Sequence, residues 1–526
     1  MKQTIFLLAC LCIVIAGFTP AKAQEQRNPT VVPVLLRGPY LQVATSNSII
    51  IRWRTTTMTR SVVNYGRAVN KLDSTAQEPT LTFEHQVKLT GLAPRTRYYY
   101  AIGGGQGAMI QGDSSNHFVT LPVPGTEGFY RIGVFGDCGN NSTRQRDVRD
   151  QVEKYLADKP MDAWILLGDN AYTYGQDPEF QEKFFNIYKD DLLKKYAVYP
   201  SPGNHDYNDL YQFKATAQTT HDIAYYHNFS MPTEGEAGGV PSHTQAFYSF
   251  DIGNIHFLSL DSYGKEDNAT RLYDTSGAQV QWIKKDLEAF KNTKRGWVIA
   301  YWHHPPYTMG SHNSDREGEL VQIRQNFIRI LERYGVDLIL CGHSHLYERS
   351  RLMKGHYGME ATFDSSKHVL DHSTALYDGS EDACPYIKDG NNTGTVYVVT
   401  GSAGASGDKQ MTYPHNAMYY SNYEIGGTSM LEVDSNRLEL KWICADGQIR
   451  DHFVMMKDVN KHQVIKAKKG EKVTLTASFI GEYKWKGQKG ATGRSLQVTP
   501  KAGRTVYEVE DAYNCVKDEF EVNVAK

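Results

Sequence analysis

Short apolar runs, each ending at a glycine or a knot of polar side chains, recur through the middle of the chain. Arg131-Ile-Gly-Val-Phe-Gly136, Ala163-Trp-Ile-Leu-Leu-Gly168, Trp297-Val-Ile-Ala-Tyr-Trp302 and Val336-Asp-Leu-Ile-Leu-Cys-Gly342 have the length and composition of buried strands. Tyr199-Pro-Ser-Pro-Gly203 has less strand character. Helical patterns lie between them. Residues 179–196 read as a helix, and so do 278–290, where Val280, Ile283, Leu287 and Phe290 share one face. A third helix spans 318–334, with Gly335 as its C-cap. Alternation of this kind predicts an α/β body over 129–457. Two polar stretches, 207–245 and 353–394, have little periodicity and read as lids or binding surfaces beside that body.

The flanks differ. From 31 to 122 the chain is β-rich with frequent turns, and Ser48-Ile-Ile-Ile-Arg-Trp53, Ser61-Val-Val-Asn-Tyr65, His85-Gln-Val-Lys-Leu-Thr90, Arg97-Tyr-Tyr-Tyr-Ala-Ile102 and His117-Phe-Val-Thr120 read as strands of a sandwich. Leu92-Ala-Pro-Arg-Thr-Arg-Tyr98 resembles the turn into a late strand of fibronectin type III domains. Residues 123–128 are the linker. From 459 to 526 a second set of alternating strands predicts a small immunoglobulin-like β-sandwich, with Trp485 and Cys515 as core residues.

At 526 residues the chain exceeds one ordinary core, so several domains are expected. An apolar stretch from Ile5 to Phe18 after a lysine, then Ala21-Lys-Ala23, reads as a cleaved signal over 1–23 and predicts a secreted or periplasmic protein. Lys2 and Lys22 would leave with it, moving the formal charge from −2 to −4. That balance and the lack of a basic run point away from nucleic acid, and no later segment is apolar enough to span a bilayer. The five remaining cysteines are spread too widely for a disulfide scaffold. Cys138 and Cys341 read as compact buried residues at strand ends.

The strand ends carry the chemistry. Asp137, Asp169, Asn204-His205, His303-His304 and His343-Ser-His345 each follow one of the five runs. Sheets of this class bind ligands at the carboxyl ends of their strands, so these groups are expected to meet at one rim. Carboxylates suit hard cations, imidazoles suit Zn, Fe or Mn, and a phenolate favours Fe(III). One carboxylate shared between two ions would form the clamp used on phosphate esters. Tyr172, three residues past Asp169, could reach the same ion.

Taken in order, Gly136-Asp-Cys-Gly139, Gly168-Asp-Asn-Ala-Tyr172, Gly203-Asn-His-Asp206, Val298 to His303 and Gly342-His-Ser-His345 resemble the five signature blocks of purple acid phosphatases, which are calcineurin-like metallophosphoesterases. The resemblance continues through Tyr347-Glu-Arg349 and into Gly38-Pro-Tyr-Leu-Gln42 of the N-terminal module. It implies an α+β multidomain chain: an N-terminal β-sandwich, a four-layer α/β metallophosphoesterase sandwich and the C-terminal Ig-like domain. By position it makes Asp137, Asp169, Tyr172 and His345 ligands of Fe(III). Asp169 would bridge to a divalent Fe, Zn or Mn held by Asn204, His303 and His343. The family places the ligand two residues before a proline, which selects His303 over His304. His205 and His312 match its outer-sphere histidines, although Asn313 stands where plant members have a second histidine.

The implied reaction is in-line attack of a metal-bound hydroxide on a small phosphate monoester, with His205 or His312 protonating the leaving oxygen. A phosphodiesterase or nucleotidase with the same metals is the rival reading. Gly139 argues against it, since phosphodiesterases of the superfamily usually have histidine in that block. A third reading keeps the metal site as a relic and assigns binding of glycan or cell surface to the flanking β-domains.

Overall fold

The computed structural model describes residues 33–103, 108–110, 113–157, 159–207, 214–266, 269–291, 296–388 and 392–525. The signal assigned to 1–23 lies outside them. Two large sheets form the body. In a thirteen-stranded sheet the strands Phe129–Phe135, Ala163–Leu167 and Ala197–Ser201 run parallel and adjacent. In a seven-stranded sheet Ile255–Ser259, Trp297–Trp302, Leu338–Cys341 and Val396–Thr400 do the same. All seven are buried along nearly their whole length, as expected of parallel strands covered on both faces. The sheets face each other. Tyr199 stacks on Phe250 with ring centroids 3.9 Å apart, and the Tyr301 hydroxyl donates to Tyr199 O across the gap.

Helices cover the outer faces. Thr143–Leu156 lies against Arg437–Cys444 of the larger sheet and buries Gln145, Val148, Val152 and Leu156, a stripe of helical spacing. Its cap is Ser142, whose side chain accepts from Gln145 N. On the smaller sheet, Ala278–Lys291 packs beside Ile328–Tyr334, and Gly335 closes the latter with φ 76°. Each large apolar side chain placed in this core contributes about 1.5–3 kcal/mol.

Several elements depart from expectation. The stretch read as one helix over 179–196 is helical from Asp177 only to Tyr188, with a wider turn at Gln181–Phe185. Lys189 is the C-cap, and Asp190 and Asp191 come next, where acidic side chains oppose a continuing helix dipole. The two strands read at 48–53 and 61–65 are one, Ile49–Gly66, paired with Ser74–Leu89 through a register shift between Arg54 and Thr59. The threonines between them are β-formers on a half-exposed ribbon, so the chain stays extended where its apolar pattern lapses. The N-terminal sheet also continues the body: Leu41 pairs parallel with Ala197.

In the last domain Trp485 is buried against Phe520, as expected. Cys515 is not a core residue. It sits partly exposed near the surface and forms a disulfide with Cys384, 131 residues away in the 353–394 insertion. The insertion is thereby fastened to the C-terminal domain. Cys138, Cys341 and Cys444 are buried free thiols.

Candidate metal centre

The ligand-type residues come together at one rim, where the carboxyl ends of the two sheets meet. Asp137, Asp169 and Asn204-His205 follow strands of the larger sheet, while His303 and His343-Ser-His345 follow strands of the smaller. Asp137, Asp169 and His343 turn off their strands with φ of 55°, 52° and 67°. Three non-glycine residues in left-handed backbone at one spot mark a functional site. The glycines before the clusters are there for close approach. A Cβ on Gly203 would lie 2.2 Å from Asp169 Oδ1, and one on Gly342 would lie 2.4 Å from Asp137 Oδ2.

Two lobes share Asp169. In the first, the Tyr172 hydroxyl donates to Asp137 Oδ1 at 2.9 Å and lies 3.1 Å from His345 Nε2, itself 3.5 Å from Asp137 Oδ1. In the second, His303 Nε2 lies 3.0 Å from Asn204 Oδ1, 3.1 Å from His343 Nδ1 and 3.3 Å from Asp169 Oδ2.

One proton on each of these imidazoles is committed elsewhere. His303 donates its Nδ1–H to Leu167 O at 2.9 Å, and His343 donates its Nε2–H to Glu317 Oε2 at 3.2 Å. What faces inward is His303 Nε2, His343 Nδ1, Asn204 Oδ1 and Asp169 Oδ2. Burial pulls His303 down, but Asp169 and Asp137 lift it to about 9, so a positive charge suits this buried cluster, and a cation would supply it. Tyr172 shows the same need. Burial raises its phenol well above the ordinary value, and Asp137 and Asp169 raise it further, so only a nearby cation could make it a phenolate.

Three groups of acidic or imidazole side chains among the described residues are close enough to share an ion: Asp137–Asp169–His303, His303–His304–His343 and His312–Glu317–His343. They overlap in this one site. His304, buried like His303, has its Nδ1 2.8 Å from Ser262 Oγ, and burial followed by His343 and His303 pushes it well below its ordinary value. His205 stands at the rim with Nδ1–H donated to Thr173 O, its Nε2 3.9 Å from Asp169 Oδ2. His312 lies over His343 with ring centroids 3.6 Å apart.

Glu317 was not singled out from the sequence. Its Oε2 accepts from both His312 Nδ1 at 2.9 Å and His343 Nε2, and its Oε1 accepts from Asn313 N. Burial opposes the charge, but the two histidines hold the carboxyl below the usual range. The one available signal was its place directly before the helix Gly318–Gln322, where an acid suits the helix start. Asp206 was missed in the same way. It accepts from Gly203 N and Asn170 N and so ties the second and third clusters together.

Comparison with known proteins agrees with this picture. Residues 130–347 match the calcineurin-like phosphoesterase family, and residues 37–120 match the purple acid phosphatase N-terminal domain. Purple acid phosphatase 15 of Arabidopsis thaliana is 29% identical over 332 residues, 56% of this chain and 57% of that protein. The chain thus spans little more than half the length of that plant relative. Acid phosphatase type 7 of Danio rerio is 25% identical over 490 residues, 85% of this chain and 95% of that protein. In three dimensions the chain resembles the purple acid phosphatase PPD1 from yellow lupin seeds, with TM-score 0.60 and 18% identity over 81% of this chain and 74% of that one. Matching the purple acid phosphatase N-terminal domain over 37–120 and then the calcineurin-like phosphoesterase domain over 130–347, the chain has the domain order of, and is similar in sequence to, the purple acid phosphatases.

Proposed function

We propose that the chain is an exported acid phosphatase that hydrolyses small phosphate monoesters at a two-metal centre. The observation that carries this reading is the inward set of ligand-type atoms arranged as two lobes around Asp169, with a phenol in only one of them. In this reading Asp137, Asp169, Tyr172 and His345 hold Fe(III), and Asp169, Asn204, His303 and His343 hold a divalent Fe, Zn or Mn. When bound, the pair of ions supplies Lewis acidity to the phosphate and to the attacking water.

The protein groups do the rest. Glu317 and Leu167 O fix the tautomers of His343 and His303, so that both present lone pairs toward the centre. His205 and His312 each spend Nδ1–H on a fixed acceptor, Thr173 O and Glu317 respectively. Either would act on the substrate through its other ring nitrogen, to orient the phosphate or hand a proton to the departing alkoxide. Export is supported by the Cys384–Cys515 bridge, because disulfides persist in oxidising compartments.

Metal analysis with a visible spectrum, followed by a panel of monoesters and diesters across pH, tests the reading. The oxidised metallated protein should be coloured, and Tyr172→Phe should lose the band while keeping both metals. Asp169→Asn should lose one or both ions and at least about a thousandfold in kcat, as expected when a shared bridging ligand is removed. A diester preference, or monoester hydrolysis surviving in Asp169→Asn, would overturn it.

A further inference from the structure

Residues 459–526 hold thirteen lysines and arginines against eight carboxylates, a formal +5 in a chain whose total is −2. The excess is concentrated at one end. The strand His462–Ala467 runs parallel to Lys517–Val524, which pairs antiparallel with Gly503–Glu510, so Ala467, Val524 and Gly503 lie abreast. The turn 468–472 leads from that edge into Val473–Thr476. Residues 499–502 return to it from Ser495–Val498, with Val498 opposite Val473. Both connections therefore form one tip.

Lys466, Lys468, Lys469, Lys472 and Lys501 are all exposed on this tip. The ion pairs of the domain involve other residues, Arg504 with Glu521 and Lys486 with Glu508 and Glu510 among them, and none of these five has a carboxylate partner among the described residues. One acid, Glu471, shares the tip, its Oε2 accepting from Lys468 N, while Glu519 lies beside His462 and Glu508 at the opposite end. That end faces the body: Asp518 accepts from Lys461 N and Ser478 N, and Asn436 Nδ2 donates to Ser478 O. The basic tip points away from it.

We propose that this tip docks the protein onto a linear phosphate polymer that carries no bases. Five unpaired ammonium groups on two short turns complement a chain of phosphates whose spacing need not be matched, because lysine acts as a mobile point charge rather than a fixed fork. The turns Lys468-Lys-Gly-Glu-Lys472 and Thr499-Pro-Lys-Ala502 contain no aromatic residue. They offer no platform for stacking nucleobases and no large apolar side chain to seat in a bilayer. Docking would hold the catalytic centre near a phosphate-rich surface, and it does not depend on which ester that centre cleaves.

The test is a calorimetric titration of the full metallated chain with long-chain inorganic polyphosphate, beside the variant K468E/K469E/K472E/K501E. Both proteins share the same metal centre, so a difference between them reports the tip. Hydrolysis of a small monoester should be equal in the two, and an unchanged calorimetric transition of the C-terminal domain shows that domain to be folded in the variant. The variant should bind at least about tenfold more weakly. Wild-type affinity should fall on the order of 100-fold between 50 and 200 mM salt, as five released counterions at a single-strand slope near −0.7 each require. Equal affinity in the two proteins, no saturable binding, or tighter binding to single-stranded nucleic acid or to anionic phospholipid vesicles would overturn the proposal.

Discussion

A single carboxylate, Glu317, holds two imidazoles of different duty, and its removal separates them. His343 faces the inner cluster through Nδ1 and His312 faces the rim, yet both donate to the same Oε2. Glu317→Gln keeps the size of the side chain and removes the charge, leaving one amide to serve two donors. Loss of such an outer partner typically costs 10–100-fold in metal affinity or activity. The expected result is a drop of about that size in kcat/KM together with weaker retention of the divalent ion by dialysis. His312→Asn should lower kcat without loosening the metal. If both variants retain metal equally well and lose activity equally, Glu317 serves His312 alone. This residue also shows where sequence reading stops. Asp137, Asp169, His303 and His343 could be found because a buried strand and a close-approach glycine point to each, whereas Glu317 follows a loop with no periodicity and meets its partners only in space. His303 against His304 was legible from the following proline through family resemblance alone. In the structure His303 donates to Leu167 O and His304 Nδ1 lies beside Ser262 Oγ, and both belong to groups close enough to share an ion.

At the scale of elements, the site depends on how the two sheets and their outer helices are locked. His256 on the strand Ile255–Ser259 is one such lock. Its Nδ1 lies 2.7 Å from Asp251 Oδ1 on the neighbouring strand, and its Nε2 lies 2.6 Å from Asp286 Oδ2 on the helix Ala278–Lys291. Burial pulls the imidazole down, but its hydrogen bonds to Asp251 and Asp286 outweigh that and lift it to about 9. A group raised in the folded state stabilises fully below its unfolded value near 6.5 and loses that contribution as pH rises through 9. The difference corresponds to about 3 kcal/mol. His256→Asn should therefore unfold at lower denaturant than wild type, with the gap widest near pH 6 and shrinking toward pH 9.5. A gap that stays constant over that range would mean the imidazole is neutral in the folded protein. The helix itself was legible from its apolar face, and so were the strands of the body, each a compact buried run. The helix Thr143–Leu156 was not, because its buried stripe starts with Gln145 and the rest of its surface is charged. A four-layer sandwich implies two sheets, but which strand end belongs to which was not legible, since a buried parallel strand reads the same in either.

For the molecule as a whole, the ligand cluster is built from residues 137–345, yet the chain continues through an insertion and a third domain that close back on each other. The C-terminal core includes Val454 and Met456 from the last strand of the large sheet, with Tyr377 and Ile387 of the insertion packed against it. Cys384–Cys515 adds a covalent closure over a separation of 131 residues. This link could not be read in advance, because one partner lies in a polar stretch without periodicity and five widely spaced cysteines allow many pairings. Cross-links of this span stabilise by about 2–4 kcal/mol, chiefly by restricting the unfolded chain. Replacing both cysteines by serine should lower the calorimetric transition of the C-terminal domain, or of the whole chain if the shared core makes unfolding cooperative. A reductant would also reach the proposed iron, so the serine pair is the cleaner probe. Monoester hydrolysis at 20 °C should be unchanged, because no proposed ligand lies in the insertion or the last domain. Activity lost at a temperature where the variant remains folded would instead mean that the insertion positions the centre. The route for such an effect is visible: Glu360 N donates to Asp315 Oδ2, two residues from Glu317. Unchanged thermal stability would mean that the shared core, and not the disulfide, holds the third domain in place.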